Sequence, residues 1–138
     1  MFFRKNMRFI AKKEDDMKMQ FLVILLCLGA SSCAPFREKE IVGDWQATAV
    51  LENGMPMDVE TQVISFRFHA NDYYEFNGTL NYREAGTYYI DSKYLFTTDT
   101  INQATVEKAV EIVKLTADSL FIKMNDNGRE LLMKLSKK

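Results

Sequence analysis

The chain has 138 residues, with 18 basic and 19 acidic side chains and a formal net charge of −1 at pH 7. Residues 1–32 hold six of the basic and three of the acidic side chains, so residues 33–138 carry a net charge of about −4. This mildly acidic balance argues against nucleic acid, or another anionic ligand, as the partner. The length fits one small domain.

The N-terminal part contains a short apolar run, residues 21–28, followed by the small residues 29–32 and then Cys33. Eight apolar residues are far fewer than the roughly 20 that span a bilayer, but they fit the core of a signal peptide. The pattern resembles a bacterial lipoprotein signal peptide that is cut before Cys33. The resemblance implies a signal helix within residues 1–32, palmitate-type acyl chains on Cys33, and a membrane partner reached through that lipid. Ala34 stands where an Asp would favour retention in the inner membrane, so we expect an outer-membrane location.

The beginning of the chain departs from an ordinary signal. Basic residues dominate it, but Glu14, Asp15 and Asp16 interrupt them just before the apolar run, where a signal peptide is usually positive. A cleaner signal begins at Met17. We therefore expect residues 1–16 to belong to an overlong gene start and residues 33–40 to form a lipidated tether.

From residue 41 onwards the sequence predicts short strands. Trp45, Ala47, Ala49 and Leu51 alternate with more polar residues, which is the pattern of a half-buried strand, and Asn53-Gly54 is a turn signal. Residues 55–60 are irregular and could cover one end of a barrel.

The remainder of the chain repeats this rhythm of short strands and turns. Alternating segments are predicted within residues 62–69, 73–76, 86–90, 93–98, 106–115, 120–124 and 131–135. Only residues 106–115 also suit a helical face, and their β-branched residues favour a strand. About eight strands joined by tight turns predict an all-β fold, an antiparallel up-and-down barrel; a two-sheet sandwich is the alternative.

Residues 41–138 resemble the small lipocalin-like domains of bacterial lipoproteins. Gly43-Asp44-Trp45 opens the first strand in the manner of the lipocalin superfamily, and residues 86–90 and 115–120 follow the same layout. The resemblance implies that Trp45 packs across the barrel floor and that a late arginine covers it, for which Arg129 is the candidate. It also implies a cavity for one small apolar ligand.

The inward faces of the predicted strands carry large side chains, which fill either a ligand cavity or a solid core. They are Trp45, Phe66, Phe68, Tyr74, Phe76, Tyr88, Ile112, Ile122 and Met133, and all but Ile112 and Met133 form the candidate site. An eight-stranded barrel is just wide enough for its own side chains or one small ligand. Short strands with large rings favour the solid core.

The sequence contains no pattern that predicts catalysis. It has no phosphate-binding loop, no serine nucleophile elbow and no cluster of metal ligands, and we expect no enzyme activity and no cofactor. His69 is the only histidine and is expected in a loop. Once residues 1–32 are removed, Cys33 is the only cysteine, so the fold depends on its apolar core and not on disulfides.

Two functions follow from these observations. The first is a membrane-anchored lipocalin-like module that binds a small apolar ligand at the cell envelope. The second is a solid barrel that binds an envelope protein partner. For the second, Val113, Phe121 and Leu132 are expected on the outer face, where a contiguous apolar patch would need a cover. Tyr73, Tyr82 and Tyr89 are also expected to point outwards.

Overall fold

The computed structural model describes residues 36–102 and 106–138, most of which lie in strands or in the turns between them. Within these ranges one short helix, α1 (Glu38–Ile41), precedes nine strands: β1 (Gly43–Glu52), β2 (Met55–Pro56), β3 (Ser65–Phe68), β4 (Tyr73–Asn77), β5 (Arg83–Asp91), β6 (Tyr94–Asp99), β7 (Glu107–Leu115), β8 (Ser119–Asp126) and β9 (Arg129–Lys137). Single 3₁₀ turns occupy Thr61–Val63 and Thr79–Asn81. No helix of the described residues is both long and apolar enough to cross a membrane. The predicted signal helix and Cys33 lie outside the described residues.

The strands form one antiparallel circuit. From β3 to β9 each strand pairs with the next along the chain, and β1 pairs with β3 on one side and with β9 on the other. Strands β1 and β3–β9 therefore close into an eight-stranded barrel, while β2 forms a short hairpin with the end of β1. Closure leaves no long unpaired edge. The predicted all-β barrel is confirmed.

The two ends of the barrel differ. At the end where β1 begins and β9 ends, Ile41 of α1 is fully buried and Phe36 packs against the core; we call this the closed end. At the other end β1 ends and β9 begins, and we call it the open end. Residues 55–60, predicted to be irregular, contribute β2 and place Val59 against the core.

Asn-Gly pairs shape two of the hairpins, and the turn predicted at Asn53-Gly54 is confirmed. Asn53 and Gly54 both have positive φ, at 49° and 82°, and so do Asn127 and Gly128, at 51° and 84°. Two successive left-handed residues make the hairpin turn that matches the twist of the strands, and Asn-Gly adopts it at little cost. The ambiguous segment 106–115 is a strand, since β7 pairs with β6 and β8 along most of its length.

The inward face of β1 changes halfway along the strand. The alternation predicted that Ala49 and Leu51 face inwards with Trp45, but the structure buries Val50 instead. The reason is a shift of register between Ala47 and Ala49 in the pairing with β9. This bulge adds one residue to β1, and one added residue exchanges the two faces of the strand beyond it.

The closed end is packed around Trp45. This side chain is fully buried, and its indole N–H donates a hydrogen bond of 2.7 Å to the carbonyl oxygen of Ile41. The cover predicted for it was wrong: Arg129 lies at the open end, where it pairs with Asp126 and Glu52. The ammonium of Lys137 lies 5.1 Å from the centre of the indole ring instead. A late cation does cover the tryptophan, but it comes from the end of β9.

Candidate ligand-binding cavity

A cavity of about 760 Å³ opens at the open end of the barrel. Its inner wall is apolar and is formed by Val50, Val59, Ile64, Phe76 and Met133. Its outer margin, which we call the rim, consists of residues 78–83 together with Ile101 and Asn102. The volume is within the range of pockets that hold small molecules, roughly 300–1,000 Å³.

Aromatic rings separate the cavity from the packed half of the barrel. The centres of the Phe76 and Phe66 rings are 4.5 Å apart, and those of Phe66 and Phe68 are 5.4 Å apart. Phe68 in turn meets the edge of Tyr88 at 4.9 Å. This row of rings runs from the open end into the core, so the cavity has an aromatic floor.

Most of the predicted site residues lie in the core and not in the cavity. Trp45, Phe68, Tyr74, Tyr88 and Ile122 are buried, and Phe66 is partly buried against them. Of the predicted set only Phe76 lines the cavity. Met133, predicted to face inwards but not included in that set, lines it as well.

Sequence reasoning missed most of the rim. The segment after Asn77-Gly78 lies between two predicted strands, and its one clear signal is Leu80, an apolar residue between Thr79 and Asn81. The burial of Val50 at the cavity wall could not be found by alternation, because it depends on the bulge in β1. Ile64, which was not among the side chains predicted to face inwards, also lies in the wall.

The rim segment 78–83 has a strained backbone. Leu80 and Asn81 both adopt left-handed conformations, with φ of 57° and 60°. Hydrogen bonds hold the turn, from the amide of Gly78 to the carbonyl of Tyr82 (2.8 Å) and from the amide of Tyr82 to the carbonyl of Thr79 (3.1 Å). The side chain of Leu80 is 99% exposed although it lines the cavity. A left-handed residue with a side chain costs about 1–2 kcal/mol, so the fold holds an exposed leucine at the rim in an unfavourable conformation.

A polar cluster lies beside the rim on β4, β5 and β7. The buried carboxylate of Glu84 accepts hydrogen bonds from the hydroxyls of Tyr74 (3.0 Å) and Tyr82 (2.6 Å) and from the ammonium of Lys108. Burial is the largest influence and raises the pKa of Glu84. The hydrogen bonds from Lys108 and Tyr82, the charge of Lys108 and the bond from Tyr74 outweigh it and hold the pKa below its usual value. The same cluster raises the pKa of Tyr82 to about 12, mainly through its hydrogen bond to Glu84.

Asp99 holds the second part of the rim. It is almost fully buried, and its carboxylate accepts hydrogen bonds from the backbone amide of Ile101 (3.1 Å) and the side-chain amide of Asn102 (2.6 Å). Burial raises the pKa of Asp99. The hydrogen bonds lower it by more than burial raises it, so the pKa lies below its usual value. Asp99 thereby stays ionised and fixes Ile101 and Asn102 at the rim.

The only histidine of the chain does not line the cavity. His69 lies in a loop and contacts Glu75 at 2.9 Å. Among residues 36–102 and 106–138, no three His, Cys, Asp or Glu side chains lie close enough together to hold a metal ion.

The outer face of β7–β9 does not carry a continuous apolar patch. Val113 is about half exposed, but the neighbours of Phe121 in the sheet are Lys114 and Lys134. Their ammonium groups lie 5.0 and 5.3 Å from the Phe121 ring centre. Lys123 lies opposite Leu132 in the same way. These lysines interrupt the apolar surface that a protein partner would cover.

Of the three tyrosines predicted to point outwards, Tyr73 and Tyr89 are exposed outside the cavity, whereas Tyr82 lines it. Tyr73, Tyr82 and Tyr89 each expose about two fifths of their surface. Tyr89 stacks on Phe96 at 4.8 Å and donates a hydrogen bond to Glu107. Tyr82 lines the cavity, whereas Tyr89 belongs to the outer wall.

Comparison with known proteins identifies the fold. The family model for the lipocalin-like domain matches residues 41–122. The structure is similar to the crystal structure of a lipocalin-like protein from Bacteroides uniformis ATCC 8492, with a TM-score of 0.56 and 12% identity, over 72% of this chain and 99% of that one. No curated protein matches the sequence. The chain therefore belongs to the lipocalin-like domain family.

Proposed function

We propose that the protein is a carrier that binds one small apolar molecule in the cavity at the open end of its barrel and does not transform it. The observation that carries this proposal is the apolar wall of a cavity of about 760 Å³ in a lipocalin-like barrel. Large apolar cavities with a few polar groups at the margin are the usual form of small-molecule sites. The packed half of the barrel provides the rigid support that such a site needs.

Titration with a neutral fluorescent apolar probe, N-phenyl-1-naphthylamine, tests the cavity. Trp45 is a poor reporter because it lies at the closed end. Val59→Trp places a large ring in the cavity and should abolish probe binding, because it fills the space. Val113→Trp is the matched control: it makes the same substitution on the exposed outer face and should bind the probe as the unmodified protein does. A Val59→Trp protein that is folded and binds normally would contradict the cavity as the site.

We also propose that Cys33 carries the acyl chains that hold the domain at the outer membrane. Support comes from the apolar run and small residues that precede Cys33 in the sequence. Two or more acyl chains anchor a protein stably.

Metabolic labelling with palmitate tests the anchor. Cys33→Ser should lose the label and leave the outer-membrane fraction, whereas Cys27→Ser, the matched control in the apolar run, should keep both. The folded domain should be unaffected by either substitution. Unmodified protein that is unlabelled and absent from the membrane fraction would refute the anchor and leave the carrier function intact.

A further inference from the structure

We propose that the open end of the barrel docks on the surface of a lipid bilayer through an uncharged apolar tip, formed by Leu80, Tyr82, Ile101 and Val106. The inference rests on the proposed carrier function for its purpose, since docking lets an apolar ligand pass between bilayer and cavity without crossing water. The docking itself follows from where the exposed aliphatic side chains lie and from the charges around them.

Exposed aliphatic side chains are concentrated at the open end. Among residues 36–102 and 106–138, seven of them, counting methionine, are 37–99% exposed: Met55, Met57, Val63, Leu80, Ile101, Val106 and Val113. All but Val113 lie in the segments that join β1 to β3, β4 to β5 and β6 to β7, which are at the open end. The joining segments of the closed end, 69–72, 92–93 and 116–118, hold no aliphatic residue larger than alanine. This uneven distribution marks the open end as an interaction surface.

The apolar tip surrounds the mouth of the cavity. Leu80 is 99% exposed, Val106 68% and Ile101 53%. The loops that hold Leu80 and Ile101, residues 78–82 and 100–102, contain no charged side chain, and both line the cavity. The inner wall behind them is also apolar. A bilayer placed against the tip would thus be continuous with the wall of the cavity.

Tyr82 gives the apolar tip an amphipathic margin. Its ring is about half exposed, and its hydroxyl donates to Glu84. Tyrosine is typical of the membrane–water interface, because one part of the side chain is apolar and the other is polar. The charged groups next to the tip are engaged, since Lys108 pairs with Glu84 and Glu107 accepts a hydrogen bond from Tyr89. The tip therefore offers apolar and aromatic contacts rather than an ionic one.

The charges of the open end favour a zwitterionic bilayer over an anionic one. Its joining segments contain no lysine or arginine, and the two carboxylates they hold, Asp58 and Glu60, lie between β1 and β3. Attraction to anionic lipids depends on clusters of lysine and arginine. Burial of aliphatic side chains among the acyl chains needs no such cluster. We therefore expect docking on phosphatidylcholine that does not depend on salt.

Quenching of tryptophan fluorescence by a brominated lipid tests the docking. The full chain is incorporated into vesicles of phosphatidylcholine, or of phosphatidylcholine brominated in its acyl chains. Trp45 is the only tryptophan and is fully buried at the closed end, so its emission should be the same in both. In the Leu80→Trp protein the added emission should fall by about half in the brominated vesicles, because the new ring enters the bilayer. The loss should be equal at about 0.1 M and about 1 M salt.

Val113→Trp is the matched control, because it makes the same kind of substitution at an exposed residue of β7 outside the joining segments, and its added emission should not be quenched. Ile101→Trp repeats the test in a second loop of the tip and should be quenched as Leu80→Trp is. Emission from both tip variants that is the same in the two kinds of vesicle, quenching of Val113→Trp to the same extent, or quenching that disappears at high salt would each overturn the inference.

Titration with N-phenyl-1-naphthylamine without vesicles separates this inference from the carrier function. A protein that binds the probe but whose Leu80→Trp and Ile101→Trp variants are not quenched refutes the docking alone. Quenching of both variants in a protein that does not bind the probe supports the docking and refutes the carrier function.

Discussion

The two ends of the barrel use the same strands for different purposes. At the closed end Trp45, Ile41, Leu120 and Leu135 are fully buried or nearly so. At the open end Leu80 and Ile101 are more than half exposed, and two successive residues of the rim have left-handed backbones. The packed end therefore provides the stability, and the strain and the exposed apolar surface are concentrated at the end with the cavity. Strain and exposed apolar surface often mark sites of function.

The largest expected effect is at the closed end. Trp45→Ala should lower the free energy of unfolding by about 3–5 kcal/mol, since it empties a fully buried site. Phe76→Ala at the cavity wall should cost less than half of that, because Phe76 is only partly buried, and should mainly weaken ligand binding. Urea unfolding followed by circular dichroism measures both, because Trp45 is the only tryptophan and cannot report on its own removal. Equal losses would contradict the division between a stabilising end and a binding end.

Gly86 tests whether strands β5 and β6, which run between the two ends of the barrel, can move apart to admit a side chain. A Cβ on Gly86 would lie 1.9 Å from the carbonyl oxygen of Thr98 on the neighbouring strand. Gly86→Ala should therefore destabilise the protein by about 3 kcal/mol, the upper part of the range for overpacking. The control is Gly78→Ala, whose Cβ would meet side-chain rings and no backbone, the Phe76 ring at 3.2 Å and the Tyr82 ring at 3.7 Å. It should cost less than about 1 kcal/mol. A Gly86→Ala protein as stable as the original would mean that β5 and β6 adjust freely.

The ion pair beside the rim should make the open end sensitive to acid. The folded-state pKa of Glu84 is lowered from 4.5, so its contribution to stability is complete above pH 4.5 and is lost as the pH falls through the folded-state value. Lys108→Met should reduce this dependence, since the bonds from Tyr82 and Tyr74 remain. It should destabilise the protein by about 1 kcal/mol, because it leaves a buried carboxylate without its cation. Unfolding measured between pH 3 and pH 7 tests this. Lys93→Met is the control, because Lys93 pairs with Glu111 and not with Glu84, and Glu111 still pairs with Lys123 after the substitution. It should leave the pH dependence of Glu84 in place.

The smallest effect is expected at the tip of the rim and has the opposite sign. Leu80→Gly should stabilise the ligand-free protein by about 0.5–1 kcal/mol, because glycine accepts the left-handed backbone more readily. It should also weaken the binding of the apolar probe roughly fivefold, because one apolar contact is lost. Asn81→Gly is the control, since asparagine already tolerates this conformation, and it should leave binding unchanged. If Leu80→Gly bound the probe normally, the exposed leucine would have no part in the site.

The sequence by itself determined the order of strands and turns. Alternation and the Asn53-Gly54 and Asn127-Gly128 turns are local signals, because each depends on residues that are neighbours in the chain. Sequential hairpins then leave few antiparallel topologies, and the barrel predicted from them is the one observed. The late arginine that the resemblance implied over Trp45 is not there, and the cation near the indole ring is that of Lys137.

Only the tertiary structure decided where the barrel is filled and where it is empty. The bulge in β1 turns Val50 inwards, and the pairing of β1 with β9 brings Val50 opposite Met133, so that the two together form part of the cavity wall. These residues are far apart in the sequence, and no local pattern reports the volume left between them. Whether side chains fill a barrel depends on how all eight strands are staggered, and this is a property of the closed sheet and not of any one segment.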